Sequence, residues 1–273
     1  MPSKDPVRPE ASAAALPFPE ELGRRYAGWS RTLHYAYVPE LPTWRLDAPT
    51  GQRHFLKIVY LGRQPGLADE RARLEWAADR LPVPRVMEYR SDGTVEWLLT
   101  DGLPGVDATD EKLCRRPDVL VPILARGLRA IHETPAADCP FDFQVAVALE
   151  RVKERAARGL IHPAADFHPE HGALTTEQAI EKLEHMRPAT EDVVLCHGDY
   201  CFPNALIEDG IVTGYLDLGE LGLADRWWDV AVATWSVTWN VGPGWEDLFL
   251  ESYGIEPDPE RIAFYRLLYD LAS

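Results

Sequence analysis

The chain has 273 residues, 46% hydrophobic, 10% aromatic and 26% charged, the composition of a folded globular protein and not of a disordered one. Its 44 acidic against 28 basic residues give a net charge of −16, a field that repels nucleic-acid backbones and anionic lipid and attracts cations. Cys114, Cys139, Cys196 and Cys201 form no CxxC pair, and no stretch reaches about 18 uninterrupted apolar residues, so the sequence reads as soluble, cytoplasmic and independent of disulfides.

Taken in chain order, residues 1–19 carry Pro2, Pro6, Pro9, Pro17 and Pro19 among small and polar residues and are expected to stay flexible. Thr43 to Leu46 and Arg53 to Tyr60 are rich in strand formers, with turn chemistry at Ala48-Pro-Thr-Gly51 between them, and read as a hairpin. Asp69 to Arg80 is helical and stops at Leu81-Pro-Val-Pro84, where each proline biases its predecessor out of the helical region. Val95 to Thr100 reads as a buried strand, ended by Asp101-Gly-Leu-Pro-Gly105. Beyond that break long helices are expected at about 117–132, 144–158, 176–186 and from 224 onward. One hairpin interrupts them, Ala205 to Ile207 and Ile211 to Leu216 around Asp209-Gly210. The pattern predicts a two-lobed α+β protein: a small antiparallel β-sheet lobe at 20–100, a linker at 101–105 and a larger, mostly helical lobe at 106–273.

The segment Val193-Val-Leu-Cys-His-Gly-Asp-Tyr-Cys-Phe-Pro-Asn204, continuing to Tyr215-Leu-Asp-Leu-Gly219, carries the chemistry. An apolar strand delivers His197, Asp199 lies in a loop, Asn204 follows at the +5 position and Asp217 comes after the hairpin. Phosphoryl transfer needs a carboxylate beside the acceptor hydroxyl and oxygen ligands that hold magnesium against nucleotide phosphates. His-x-Asp, Asn at +5 and a later Asp-x-Gly are the kinase pieces in the kinase order, which makes Asp199 the catalytic base and Asn204 and Asp217 the metal ligands. Each residue alone reads equally well as turn chemistry; the combined spacing decides. Upstream, strand alternation puts Lys57 on the face of Phe55 and Val59, an unusual place for a cation without an anionic partner. Glu70 shares a helical stripe with Leu74, Ala77 and Leu81, so the two suggest the ion pair that positions kinase phosphates.

These motifs resemble those of the aminoglycoside phosphotransferases, most closely the 3′-phosphotransferase branch, within the protein-kinase-like superfamily. The likeness runs from about Thr43 to Leu271 and includes Leu81-Pro-Val-Pro84, Leu128 to His132, Cys139-Pro-Phe141, His197-Gly-Asp199, Leu216 to Gly219 and Gly222-Leu-Ala-Asp-Arg-Trp-Trp-Asp229. The resemblance implies transfer of the γ-phosphate of ATP, or of GTP, to an aminoglycoside hydroxyl with Mg2+ as cofactor. It places adenine along Leu98, Thr100 and Gly102 and makes Asp225 and Asp229 supports of the catalytic loop together with His197. It implies a nucleotide and a cationic antibiotic as partners, with no nucleic acid, membrane or obligatory protein partner.

Four departures mark the acceptor and phosphate sites. Tyr37-Val-Pro-Glu-Leu-Pro-Thr43 stands where a Gly-rich phosphate loop is expected, Glu220 where the family carries Arg after Asp-x-Gly, Trp239 and Asn240 where its acidic residues often meet aminoglycoside amines, and Tyr269-Asp270 where it carries a C-terminal acidic pair. The expected acceptor site is an acidic surface of Asp166, Glu170 and Asp270, with Trp239 and Tyr269 as an aromatic alternative. The altered acceptor residues keep a kinase for another hydroxylated small molecule open, and the missing Gly-rich loop keeps open a catalytically inactive nucleotide-binding module. Trp228, Val232, Trp235 and Trp239 fall on one helical stripe and read as core. The scattered histidines lack metal-ligand spacing, and Cys196 and Cys201 read as packing residues.

Overall fold

The computed structural model describes residues 18–36, 41–60 and 66–272. Most of the expected flexible segment and residues 37–40 of the atypical phosphate loop lie outside the described residues. The chain divides into two units, residues 1–79 with 83–103 and residues 80–82 with 104–273.

In the first unit helix α1 (Glu20–Arg25) precedes strands β1 (Ser30–Ala36), β2 (Pro42–Asp47) and β3 (Arg53–Tyr60), followed by helix α2 (Ala68–Ala77) and strands β4 (Val86–Ser91) and β5 (Val95–Asp101). The strands make one antiparallel sheet in the order β1-β2-β3-β5-β4. Strands β1 and β4 are absent from the sequence reading; β4 is an edge strand in which Met87, Arg90 and Ser91 are exposed and Val86, Glu88 and Tyr89 half-buried, a pattern without clean alternation. Along β3, Leu56 and Ile58 are buried with Leu22, Trp44, Leu46, Trp97 and Leu99, which turns Lys57 to the other face. Helix α2 has no cap of its own. Buried Glu96 of β5 supplies one, accepting from the Leu67 N–H at 2.5 Å and from the Tyr89 hydroxyl at 2.9 Å. Gly66 permits this approach, because a Cβ there would lie 2.6 Å from a Glu96 oxygen. The first turn of α2, which carries Glu70, is thereby fixed to the sheet.

The second unit begins with β6 (Val106–Asp107), α3 (Glu111–Cys114), α4 (Pro117–His132), α5 (Val145–Ala157), α6 (Pro163–Asp166) and α7 (Thr176–His185). Strands β7 (Val193–Cys196), β8 (Ala205–Glu208), β9 (Ile211–Tyr215) and β10 (Gly222–Asp225) follow, and helices α8 (Trp227–Val241), α9 (Glu246–Tyr253) and α10 (Pro259–Ala272) close it. The hairpin β8–β9 turns at Asp209 and Gly210, both with positive φ (51° and 78°), the backbone that favours Asp-Gly. The expected helix from 224 onward starts later, at Trp227. Gly222–Asp225 is extended because β7 pairs with it on one side and Phe141 and Phe143 exchange backbone bonds with Leu223 on the other. Helix α8 is buried from Trp227 through Val237, and α10 packs against it and against α5 and α7. Each large side chain so buried contributes roughly 1.5–3 kcal/mol relative to exposure, which holds the start of α8 rigidly behind the loop at 197–204.

Candidate active site

In the first unit Lys57 Nζ lies 3.0 and 2.8 Å from the two carboxylate oxygens of Glu70, with the side chains 30% and 12% exposed. Strand pairing sets Lys57 opposite Leu98, and Leu98 and Thr100 are buried in β5 between β3 and β4. The Asp101 N–H donates to Arg85 O at 3.1 Å and the Gly102 N–H to Arg53 O at 2.9 Å, so these two donors are already engaged.

In the second unit the loop after β7 is held from behind by α8. Fully buried Asp229 accepts from the His197 N–H at 2.6 Å, the Gly198 N–H at 2.8 Å and His132 Nε2 at 3.0 Å, and Trp228 Nε1 donates to Gly198 O at 2.8 Å. Gly198 has φ +88°, and a Cβ there would strike Glu220 at 2.5 Å, so the turn needs glycine twice over. Asp225 does not reach this loop. It accepts from the Trp227 N–H at 3.0 Å and from Arg261 at 2.7 Å, which ties the start of α8 to α10.

His197 joins the loop to the residues before Asp217. Its Nε2 is 2.9 Å from Leu216 O, an acceptor only, so Nε2 carries the hydrogen and Nδ1 accepts from the Asp199 N–H at 3.3 Å. The Leu216 N–H in turn donates to Asn204 O at 2.9 Å. Asp199, Asn204 and Asp217 therefore hang on one hydrogen-bonded unit. Asp217 itself adopts φ +59°, a conformation that Asp tolerates better than most residues, and is exposed. The Asp199 carboxylate accepts from Asn204 Nδ2 at 3.0 Å on one oxygen and from the Tyr269 hydroxyl at 3.0 Å on the other. Burial among protein atoms, and then the negative charge of Asp217, push the Asp199 carboxyl above the usual carboxylate range.

The donor set suits a hard cation. The Asn204 side chain donates through Nδ2 to Asp199 and Cys201, so its Oδ1 is not used in those bonds and, like the Asp217 carboxylate, is the kind of oxygen a hard cation takes. His132, Cys196 and Asp229 also converge, but Asp229 is occupied by three donors and burial pushes the Cys196 thiol well up, so that group is built for support.

The residues expected at the acceptor site are arranged otherwise than as an open acidic surface. Asp166 closes its own turn, accepting from the His162 N–H at 2.6 Å. Glu170 accepts from Trp235 Nε1 at 2.9 Å and lies 3.3 Å from Arg266. Asp270 is 2% exposed and accepts from the His168 N–H at 3.0 Å, from His171 Nδ1 at 2.7 Å and from His168 Nδ1. Burial alone would raise its carboxyl, but the hydrogen bonds from His168 and His171 outweigh burial and hold it below the usual range. The expectation of an exposed Asp270 is corrected on this ground: a carboxylate supplied with three donors can leave water. Trp239, 41% exposed, stacks on His168 with centroids 4.6 Å apart and planes at 8°. Sequence reasoning missed the Trp228 and Tyr269 bonds to the loop, since an aromatic stripe signals burial and says nothing of where its polar atom points. Glu220, the departure after Asp-x-Gly, is paired with Arg151 at 2.8 and 3.0 Å.

Residues 40–265 match the model of the phosphotransferase enzyme family. An aminoglycoside 3′-phosphotransferase of Streptomyces fradiae is 39% identical over 210 residues, which cover 74% of this chain and 78% of the relative. The crystal structure of an aminoglycoside 3′-phosphotransferase of type VIII superposes with TM-score 0.82 at 33% identity, covering 92% of this chain and 97% of that one. An aminoglycoside phosphotransferase of Streptomyces rimosus, solved with ADP and streptomycin, gives TM-score 0.74 at 26% identity over 96% of this chain and 98% of that one. The chain belongs to the phosphotransferase enzyme family, among the aminoglycoside phosphotransferases. Among the described residues no helix is long and apolar enough to cross a membrane.

Proposed function

We propose that the protein is a cytoplasmic kinase that transfers the γ-phosphate of ATP, with GTP as a second donor, to an aminoglycoside hydroxyl, the 3′-OH in the leading reading. The observation that carries this is the single hydrogen-bonded unit of His197, Leu216 and Asn204 that presents Asp199 and Asp217 together. Asp199 accepts the proton of the acceptor hydroxyl as its oxygen bonds to the γ-phosphorus, and the bond to the β-phosphate oxygen breaks to release a nucleoside diphosphate. Asn204 Oδ1 and Asp217 would hold Mg2+, which when bound neutralises phosphate charge. In the sheet unit, 20–100 in our assignment, Lys57 held by Glu70 offers its ammonium to a phosphate. With the Asp101 and Gly102 N–H groups engaged, base contacts along Leu98, Thr100 and Gly102 run through carbonyls or side chains. The four free cysteines accord with a reducing compartment.

On the acceptor side Asp166, Glu170 and the exposed Trp239 meet the substrate. The local pairing of Asp166 and Glu170 favours a second reading, an acceptor recognised less by charge than by contact with Trp239. A panel of streptomycin, hygromycin B, aminoglycosides with and without a 3′-hydroxyl and a neutral sugar, scored by nucleoside diphosphate release and phosphorus NMR of the product, tests this. Phosphorylation confined to acceptors with a 3′-hydroxyl is expected; turnover of the neutral sugar alone would overturn the aminoglycoside reading. For the metal, Asp217→Asn is expected to raise the magnesium needed for half-maximal rate by about tenfold or more and Asn204→Ala by less, because an anion offsets cation charge and a carbonyl supplies only a dipole. Unchanged magnesium titrations in both variants would remove these residues from the metal site.

A further inference from the structure

Two adjacent residues in the last turn of α10 face different ways. Tyr269 places its hydroxyl 3.0 Å from Asp199 Oδ1, whereas Asp270 is buried and gripped by the segment after α6, through the His168 N–H, His168 Nδ1 and His171 Nδ1. The Tyr269 ring is boxed by His168 at 6.2 Å, Trp235 at 6.4 Å and Trp228 at 6.5 Å between centroids. A tyrosine so enclosed has few rotamers open to it, and its hydroxyl is delivered to one place.

We propose that Tyr269 is a positioning residue for the base and not an acceptor contact, and that the His168–His171–Asp270 clamp holds it there. This rests on the reading of Asp199 as the base. Without Tyr269 the Asp199 carboxylate would be held only by Asn204 and the weaker thiol donor of Cys201, and could swing about its Cβ–Cγ bond. Tyr269 on the other oxygen stops that rotation and leaves the remaining lone pairs aimed at one approach for the acceptor hydroxyl. The clamp also makes geometric use of Asp270: its three donors set the position of the last turn of α10, and with it the Tyr269 hydroxyl.

The test uses the full chain and the aminoglycoside turned over fastest in the panel above. Tyr269→Phe removes one oxygen and keeps the ring, and should lower kcat by about tenfold while acceptor and nucleotide KM stay within about twofold and Tm is retained. Asp270→Asn loses clamp strength and should lower kcat in the same way, and the double variant should be no worse than the poorer single one, as for residues acting as a unit. Binding is measured separately in the Asp199→Asn background, where acceptor Kd should be unchanged when Tyr269→Phe is added. A Tyr269→Phe kcat within twofold of wild type overturns the proposal, as does a loss carried by a raised acceptor KM or Kd. Failure of the underlying reading looks different: Asp199→Asn would then keep its turnover, whatever Tyr269→Phe does.

Discussion

Asp199→Asn is expected to lower kcat by about two to four orders of magnitude, the usual contribution of a positioned general base, while the chain stays folded. Asparagine suits the test better than alanine: its carbonyl still accepts from Asn204 Nδ2, and the Tyr269 hydroxyl can rotate to accept from the new amide. Stability should move the opposite way to activity. Burial, then the charge of Asp217, raise the Asp199 carboxyl in the folded chain, so the native state binds that proton more tightly than the unfolded chain does. Ionisation therefore costs native stability; the cost is absent below the ordinary carboxylate range and complete above the raised folded value. Asp199→Asn should melt higher than wild type at neutral pH and lose that advantage in acid. Calorimetry at both pH values, without magnesium or nucleotide, measures this. A variant that melts lower at neutral pH would show that the donors on Asp199 outweigh its burial, and wild-type turnover would remove it as the base.

What could be read in advance was local. Lys57 and Glu70 are placed by strand alternation and a helical stripe, each visible within a dozen residues, and the β8–β9 hairpin is announced by Asp209-Gly210. The span from His197 to Asp217 is likewise one loop and one hairpin, so its spacing survives folding as geometry. What escaped depends on partners far along the chain. Leu223 and Ala224 suit a helix, but β7 and the strip at 141–143 claim their backbone as a strand. Asp270 has no sequence mark of burial, because the histidines that make burial tolerable lie about a hundred residues earlier. Tyr269 and Trp228 were legible as apolar bulk only; the directions of one hydroxyl and one indole N–H are fixed by α10 and α8 docking, which no local period encodes.

The same reasoning makes Asp229 the residue whose loss should damage fold and activity together. It is fully buried, touches none of the groups assigned to the metal, and accepts from two successive backbone N–H groups of the loop as well as from His132, itself bonded to Tyr253 at 2.7 Å. Asp229→Asn keeps shape and volume but replaces one acceptor oxygen with an amide donor, which must then face a loop N–H or the ring nitrogen of His132. A buried donor left without an acceptor costs about 1–3 kcal/mol, and loss of the charge weakens the remaining bonds. A total of roughly 2–4 kcal/mol corresponds to a fall in Tm of about 5–15 °C for a unit of this size. Turnover should fall as well even where the variant is folded, because the His197 and Gly198 N–H groups no longer fix the turn that aims Asp199. Asp225→Asn is the matched control. It removes a buried carboxylate from the same segment, but Asp225 holds Arg261 and the Trp227 N–H and does not reach the loop. It should therefore lower Tm with a much smaller effect on kcat, measured well below both melting temperatures. Equal losses of kcat in the two variants at matched stability would mean that α8 supports the site only by being folded, and that the grip of Asp229 on the loop has no separate role.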